Sequence, residues 1–183
     1  MSNARQIYIA TFNMANDGVA NKDLGLGWPG DLKARGRIAT FEDYVNVLVR
    51  NDYLKPGDLK MFSAPGTKAY RGGTLSSGSN GVLTPAFTEE YNAFKVYLVK
   101  GDDPGDTLFL ATKNYTYNTP LNDPHAAPYG DNGFVVLRKG GDAAILKKAQ
   151  AQTLSVVGKL PGGGSVESAE NCLNPGVPAP QLR

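Results

Sequence analysis

A chain of 183 residues with 19 Lys and Arg against 17 Asp and Glu, the two signs interspersed, has no basic stripe for nucleic acid and no acidic arm. Its 22 glycines and 12 prolines predict many turns between modest regular elements, which disfavours a helical bundle. The single cysteine, Cys172, excludes an intrachain disulfide and a multi-thiol metal site, and no run of 18 apolar residues is present to cross a membrane as a helix.

In chain order, Met1-Ser2-Asn3-Ala4 has the look of an expression leader (residues 1–4). The pattern then begins abruptly as a helix, as if an upstream part had been removed. From Arg5 to Asn16 the apolar residues Ile7, Tyr8, Phe12, Met14 and Ala15 recur at helical spacing, and Asp17-Gly18 supplies a stop. Residues 19–37, with four glycines and Trp28-Pro29, read as a loop. Thr40 is a good N-cap for a second helix ending near Asn51, with Glu42 and Asp43 in its first turn and Phe41, Tyr44, Val45 and Leu48 on its inner face. Lys55-Pro56-Gly57-Asp58 reads as a turn, and residues 63–84 as a Gly- and Ser-rich surface excursion.

The period then falls to two. Phe94, Val96 and Leu98 alternate with Lys95, Tyr97 and Val99; a second strand is expected over 107–117, a third over 133–139, and a fourth over 143–148 after the Gly140-Gly141 hairpin. Strands so close in sequence pair antiparallel. The predicted fold class is therefore α+β, an N-terminal helix packed on a four-stranded antiparallel meander sheet with long loops. Residues 5–160 form the globular domain, and 161–183 a Pro/Gly-rich C-terminal tail. Residues 154–160 read as a short helix or strand.

Candidate chemistry is sparse. Gly25, Gly27 and Gly30 match G-x-G-x-x-G, but the match follows a helix instead of a strand, which rejects dinucleotide binding. His125 is the only histidine, so a multi-histidine zinc site is excluded, and a Cys-His nucleophile would need Cys172 to reach it. Asn114-Tyr115-Thr116 fits the glycosylation pattern by letters alone and falls in a predicted strand. Asp102, Asp103 and Asp106 crowd one turn while Asp123, Asp131 and Asn132 bracket another, and such oxygen-rich turns suit calcium. The plainer alternative is that Asp and Asn are turn formers bonding their own backbone. No other cofactor is implied.

With its elements in this order, the chain resembles the globular domain of type IV pilin-like proteins, in particular the pseudopilins of type II secretion. The resemblance rests on residues 4–14, on Trp28-Pro29, on Asp43-Tyr44 with Tyr53-Leu54, and on Leu121-Asn122-Asp123-Pro124 with Pro128-Tyr129, which is similar to the Asp-Pro loop of the major pseudopilin. It implies a membrane-spanning half of the first helix that lies outside this chain, anchorage in the bacterial inner membrane, and a globular domain in the periplasm. It further implies a structural role without catalysis, in a filament whose partners are other pilin-like subunits and secretion components. Ile7, Tyr8, Phe12 and Met14 would then be divided between the sheet and neighbouring subunits, and the first helix should carry more exposed apolar area than a monomer needs. A second reading is a cell-envelope binding module that recognises a glycan or protein through loop aromatics such as Trp28 and Tyr70.

Overall fold

The computed structural model describes residues 2–78, 80–163 and 170–174. The fold is α+β, with an N-terminal helix laid on a four-stranded antiparallel meander, as the order of periodicities predicts.

Helix α1 runs Ser2–Ala20, longer at both ends than its pattern suggests. Ala4, Ile7, Ala10, Thr11, Met14, Ala15 and Gly18 are its buried residues, spaced three and four apart so that they form one stripe. Gly18 does not stop the helix. It lies so close to the Leu26 carbonyl that a Cβ would sit 2.4 Å from the oxygen, so glycine here is a requirement of packing. Ser2, Asn3 and Ala4, set apart as a leader by sequence, continue the helix, and Ala4 is buried; Met1 lies outside the described residues.

The expected loop over 19–37 contains a helix, α2 (Pro29–Ala34). Pro29 opens it at a position where the missing N–H costs nothing, and Asp31 sits in its first turn. Gly30 donates its N–H to Val99 O at 2.8 Å, and a Cβ there would lie 2.3 Å from Leu98 O. Helix α3 (Phe41–Arg50) starts where expected. Thr40 accepts from the Asp43 N–H through its hydroxyl, and the Asp43 carboxylate accepts from the Thr40 N–H at 3.1 Å, closing a capping box. The Lys55–Asp58 turn is the entry to a 3₁₀ helix, Pro56–Phe62, which buries Leu59, Met61 and Phe62. The Gly/Ser-rich excursion carries a small hairpin, β1 (Thr74–Leu75) with β2 (Leu83–Thr84).

The main sheet is β3 (Phe94–Val96), β4 (Leu108–Thr112), β5 (Gly133–Arg138) and β6 (Ala143–Lys147), each antiparallel to the next. Strand β4 is shorter than the 107–117 run, because the chain turns back at Thr112, where the Tyr115 N–H bonds the Thr112 carbonyl. A register shift between Leu108 and Leu110 lets Phe109 and Leu110 both join the helix-side core. That core holds Ile7, Met14, Trp28, Leu48, Phe62, Phe94, Val96 and Leu137. A second core fills the opposite face, with Leu108, Ala111, Phe134, Val136 and Leu146 from the sheet under Tyr115, Leu121 and Val157. Residues 154–160 resolve into a short helix, α4 (Leu154–Val157), and a parallel bridge from Lys159 to Thr107.

The boundary expected at residue 160 is not where packing stops. Cys172, Leu173 and Asn174 are buried, and Cys172 bridges antiparallel to Tyr97 beside β3. The remainder of the predicted tail, 164–169 and 175–183, lies outside the described residues.

Candidate assembly surface

The outward side of α1 is apolar in a way its inner packing does not require. Ile9, Phe12 and Val19 lie at helical spacing on the exposed side, 53%, 40% and 83% exposed. Of the four residues that sequence singles out for assembly, Ile7 and Met14 have no exposed surface and belong to the core. Tyr8 is half-buried, donating its hydroxyl to Lys139 O at 2.8 Å, and burial with the nearby Asp142 charge raises its pKa. Phe12 alone of the four is exposed. Ile9 and Val19 were not legible as surface residues, because each fits a helix face by spacing and only the position of the sheet decides which face is covered.

Phe12 is held in a fixed pose. Its ring stacks on Tyr8 at 5.7 Å and meets Trp28 edge-on at 6.4 Å, while Trp28 meets Phe109 of β4 edge-on at 5.6 Å. The Lys139 ammonium stands 5.8 Å from the Trp28 ring centroid. Alongside, Val19 and the exposed Leu24 line a cleft of 430 Å³ bounded by Gly18, Leu26 and Trp28. Trp28 and Tyr70, the aromatics a glycan-binding reading would use, are only 7% and 3% exposed and serve the core.

The oxygen-rich turns bind groups of the chain itself. The Asp103 carboxylate accepts from the Lys100 and Gly162 N–H groups, Asp106 pairs with Lys159 at 3.2 Å, and Asp102 is exposed. The carbonyls of Gly101 and Asp103 accept from the Lys139 ammonium at 2.7 and 2.5 Å, so this turn already serves a cation of the protein. In the other set, Asp123 caps the His125 N–H and Asp131 pairs with Lys148 at 2.6 Å, which holds its carboxyl below the usual range. Asn132 uses its amide to donate to the Tyr129 carbonyl. Among the described residues no group of three or more His, Cys, Asp or Glu stands close enough to hold a metal ion. The side-chain pairings fit turn formation.

Other sequence candidates fall into structural places. The Gly25, Gly27 and Gly30 run ends in a six-residue helix whose Gly30 N–H is already bonded to Val99. Asn114 donates its amide to the carbonyls of Gly130 and Gly133 at 2.9 and 2.8 Å, tying down the long loop before β5. His125 is exposed, whereas Cys172 is buried, and burial pushes its thiol up to about 12.

What sequence reading missed is a buried polar cluster. The Lys95 ammonium meets Glu170 at 2.7 Å, and the fully buried Lys113 ammonium meets Glu89. Burial lowers the Lys113 pKa, with Glu89 acting against it. Asn92 and Asn174 donate to the same Glu89 carboxylate at 3.0 and 3.3 Å. Lysine in a strand of alternating pattern reads as a solvent-side residue, and the partners lie up to 85 residues away.

Together these features define an α+β protein whose first helix has one face on a sheet and one face unpaired. No family model, curated protein or solved structure matches the chain.

Proposed function

We propose that the chain is the globular part of a structural subunit of a pilin-like filament, of the type II secretion pseudopilin or type IV pilus kind. In this reading a helix continuing α1 on its N-terminal side anchors the protein in the bacterial inner membrane, the globular part lies in the periplasm, and other pilin-like subunits and secretion components are its partners. The protein performs no catalysis and needs no cofactor for this role.

The observation that carries the reading is the division of α1. Ala4, Ile7, Met14 and Ala15 pack inward, whereas Ile9, Phe12 and Val19 stay exposed in a stripe next to a cleft. Covering an exposed aliphatic or aromatic side chain gains about 1.5–3 kcal/mol when burial is complete, so three on one helix favour a packed neighbour. A second helix of similar outward character is the simplest such neighbour, since helices pack through side chains at these spacings.

Two measurements test this. The reading frame preceding Arg5 should encode an apolar run of about twenty residues joined directly to α1; a cleavable signal peptide or a separate domain at that place removes the reading. In the membrane-anchored protein, Ile9→Asp with Phe12→Asp should lower subunit cross-linking by roughly tenfold or more while leaving the folded domain intact by circular dichroism. Unchanged cross-linking would place the contact elsewhere.

A further inference from the structure

The segment Glu170–Asn174 lies along β3 in a way that differs from ordinary tail packing. The Leu98 N–H donates to Asn171 O at 2.9 Å and the Leu173 N–H to Val96 O at 2.8 Å, the pattern of an added antiparallel strand. Each end is held by a side chain. At one end Glu170 accepts from the Lys95 ammonium and from the Tyr117 N–H. At the other, the Asn174 side chain accepts from the Val96 N–H at 3.1 Å and donates to Phe94 O at 3.0 Å. Between them Cys172 enters the core on one face of the sheet and Leu173 the core on the other.

The receiving edge is built from residues 89–98 and 113–117 and holds contacts of its own beside those it makes with the segment. Glu89 is fixed by Lys113 and Asn92, and Asn92 in turn bonds the Phe94 N–H and carbonyl. Lys95 is 4% exposed, so without a carboxylate opposite it the edge would hold an uncompensated buried charge. An edge of this kind selects an acidic strand over a neutral one.

We propose that the outer edge of β3 is a recognition groove for an extended peptide bearing a carboxylate and, four residues later, a carboxamide, and that Glu170–Asn174 fills it as a detachable strap that a second copy of the chain can supply in trans. The contacts are the same whichever copy provides the strap, which is the condition under which strand exchange costs little. The inference stands on the fold and is independent of the filament reading.

The single cysteine makes the strap observable. Leu173→Asp should evict it, and Cys172 should then react with an aromatic disulfide reagent about 100-fold faster than in the unaltered chain. Adding an end-capped synthetic peptide Glu-Asn-Ser-Leu-Asn at about millimolar concentration should shift the Val96 and Leu98 amide resonances of that variant, as expected for a short ligand of modest affinity, and should leave those of the unaltered chain in place. Lys95→Met added to the variant should abolish the shift. Mixed in equal amounts, the Leu173→Asp chain (intact groove) and the Lys95→Met chain (intact strap) should form a one-to-one complex on sedimentation. If Leu173→Asp does not fold, Glu170→Gln serves in its place, with roughly tenfold faster thiol reaction expected. A thiol as slow as in the unaltered chain, or amide resonances indifferent to peptide, overturns the groove; a mixture that stays monomeric overturns the exchange.

Discussion

The two faces of the sheet are closed by different chemistry. On the helix side, α1, α2 and α3 cover Phe94, Val96, Phe109 and Leu137 with apolar side chains, and the Thr11 and Tyr44 hydroxyls pair with each other within that layer. On the opposite side, loops and the 170–174 strap cover Leu108, Phe134 and Val136, and the adjoining edge of β3 holds two lysine–glutamate pairs and two asparagines out of water. The first arrangement draws its stability from non-directional burial, which tolerates small shifts. The second depends on charge pairing, because each buried charge is costly once its partner is gone. The lesson is that the helix side supplies stability while the strap side supplies register.

Four changes probe that contrast. The largest effect belongs to the helix side: Phe109→Ala, at a fully buried ring touching Tyr8 and Trp28, should cost about 4 kcal/mol in chemical denaturation. A loss under about 1 kcal/mol there would show that this face is not the main source of stability.

On the strap side, Glu89→Gln strands the Lys113 charge and should cost about 3 kcal/mol, whereas Glu89→Gln with Lys113→Met should cost less than the single change. Additive losses would mean that the pair acts by shape and not by charge.

Alkali should act next. Cys172 and Tyr115 are buried acids whose pKa values are pushed from 9.0 and 10.0 up to about 12, in both cases chiefly by burial. Their contribution to stability is complete below the unfolded values and disappears as pH climbs from 9 toward 12. Stability should therefore fall by on the order of 1–2 kcal/mol between pH 9 and 10.5, and Cys172→Ser should flatten the first part of that slope. Lys113, with its value depressed by burial, works the other way as pH approaches 10.5, and Lys113→Met should steepen the fall.

The smallest effect is expected from calcium. Since Asp103, Asp106, Asp123 and Asp131 already serve N–H groups and lysines, a chelator should leave the melting midpoint within about 1 °C, and a larger drop would reinstate a metal at the turns.

Much of the fold was legible because it depends on neighbours in sequence. The stripe through Ile7 and Met14, the Thr40 and Asp43 cap, the two-residue alternation at Phe94 and Val96, and the Gly140-Gly141 hairpin each express a local rule, and each places an element that the structure contains. Helix α2 was hidden because Pro29 and Gly30 read as breakers, although proline suits a first helical position and the glycine answers to the backbone of Leu98 and Val99. The candidate surface was half legible: the apolar positions of α1 could be counted, but not sorted into inner and outer.

By itself, then, the sequence determined the two longer helices and the four main strands, and the antiparallel order of those strands, since periodicity and turn chemistry act over a few residues. Only the tertiary structure decided that Ile9, Phe12 and Val19 face outward, that the acidic turns answer to lysines, and that Glu170 and Asn174 close the edge of β3. Those outcomes depend on contacts between residues as much as 131 apart, which form only when the sheet brings distant segments together, and no local pattern encodes them.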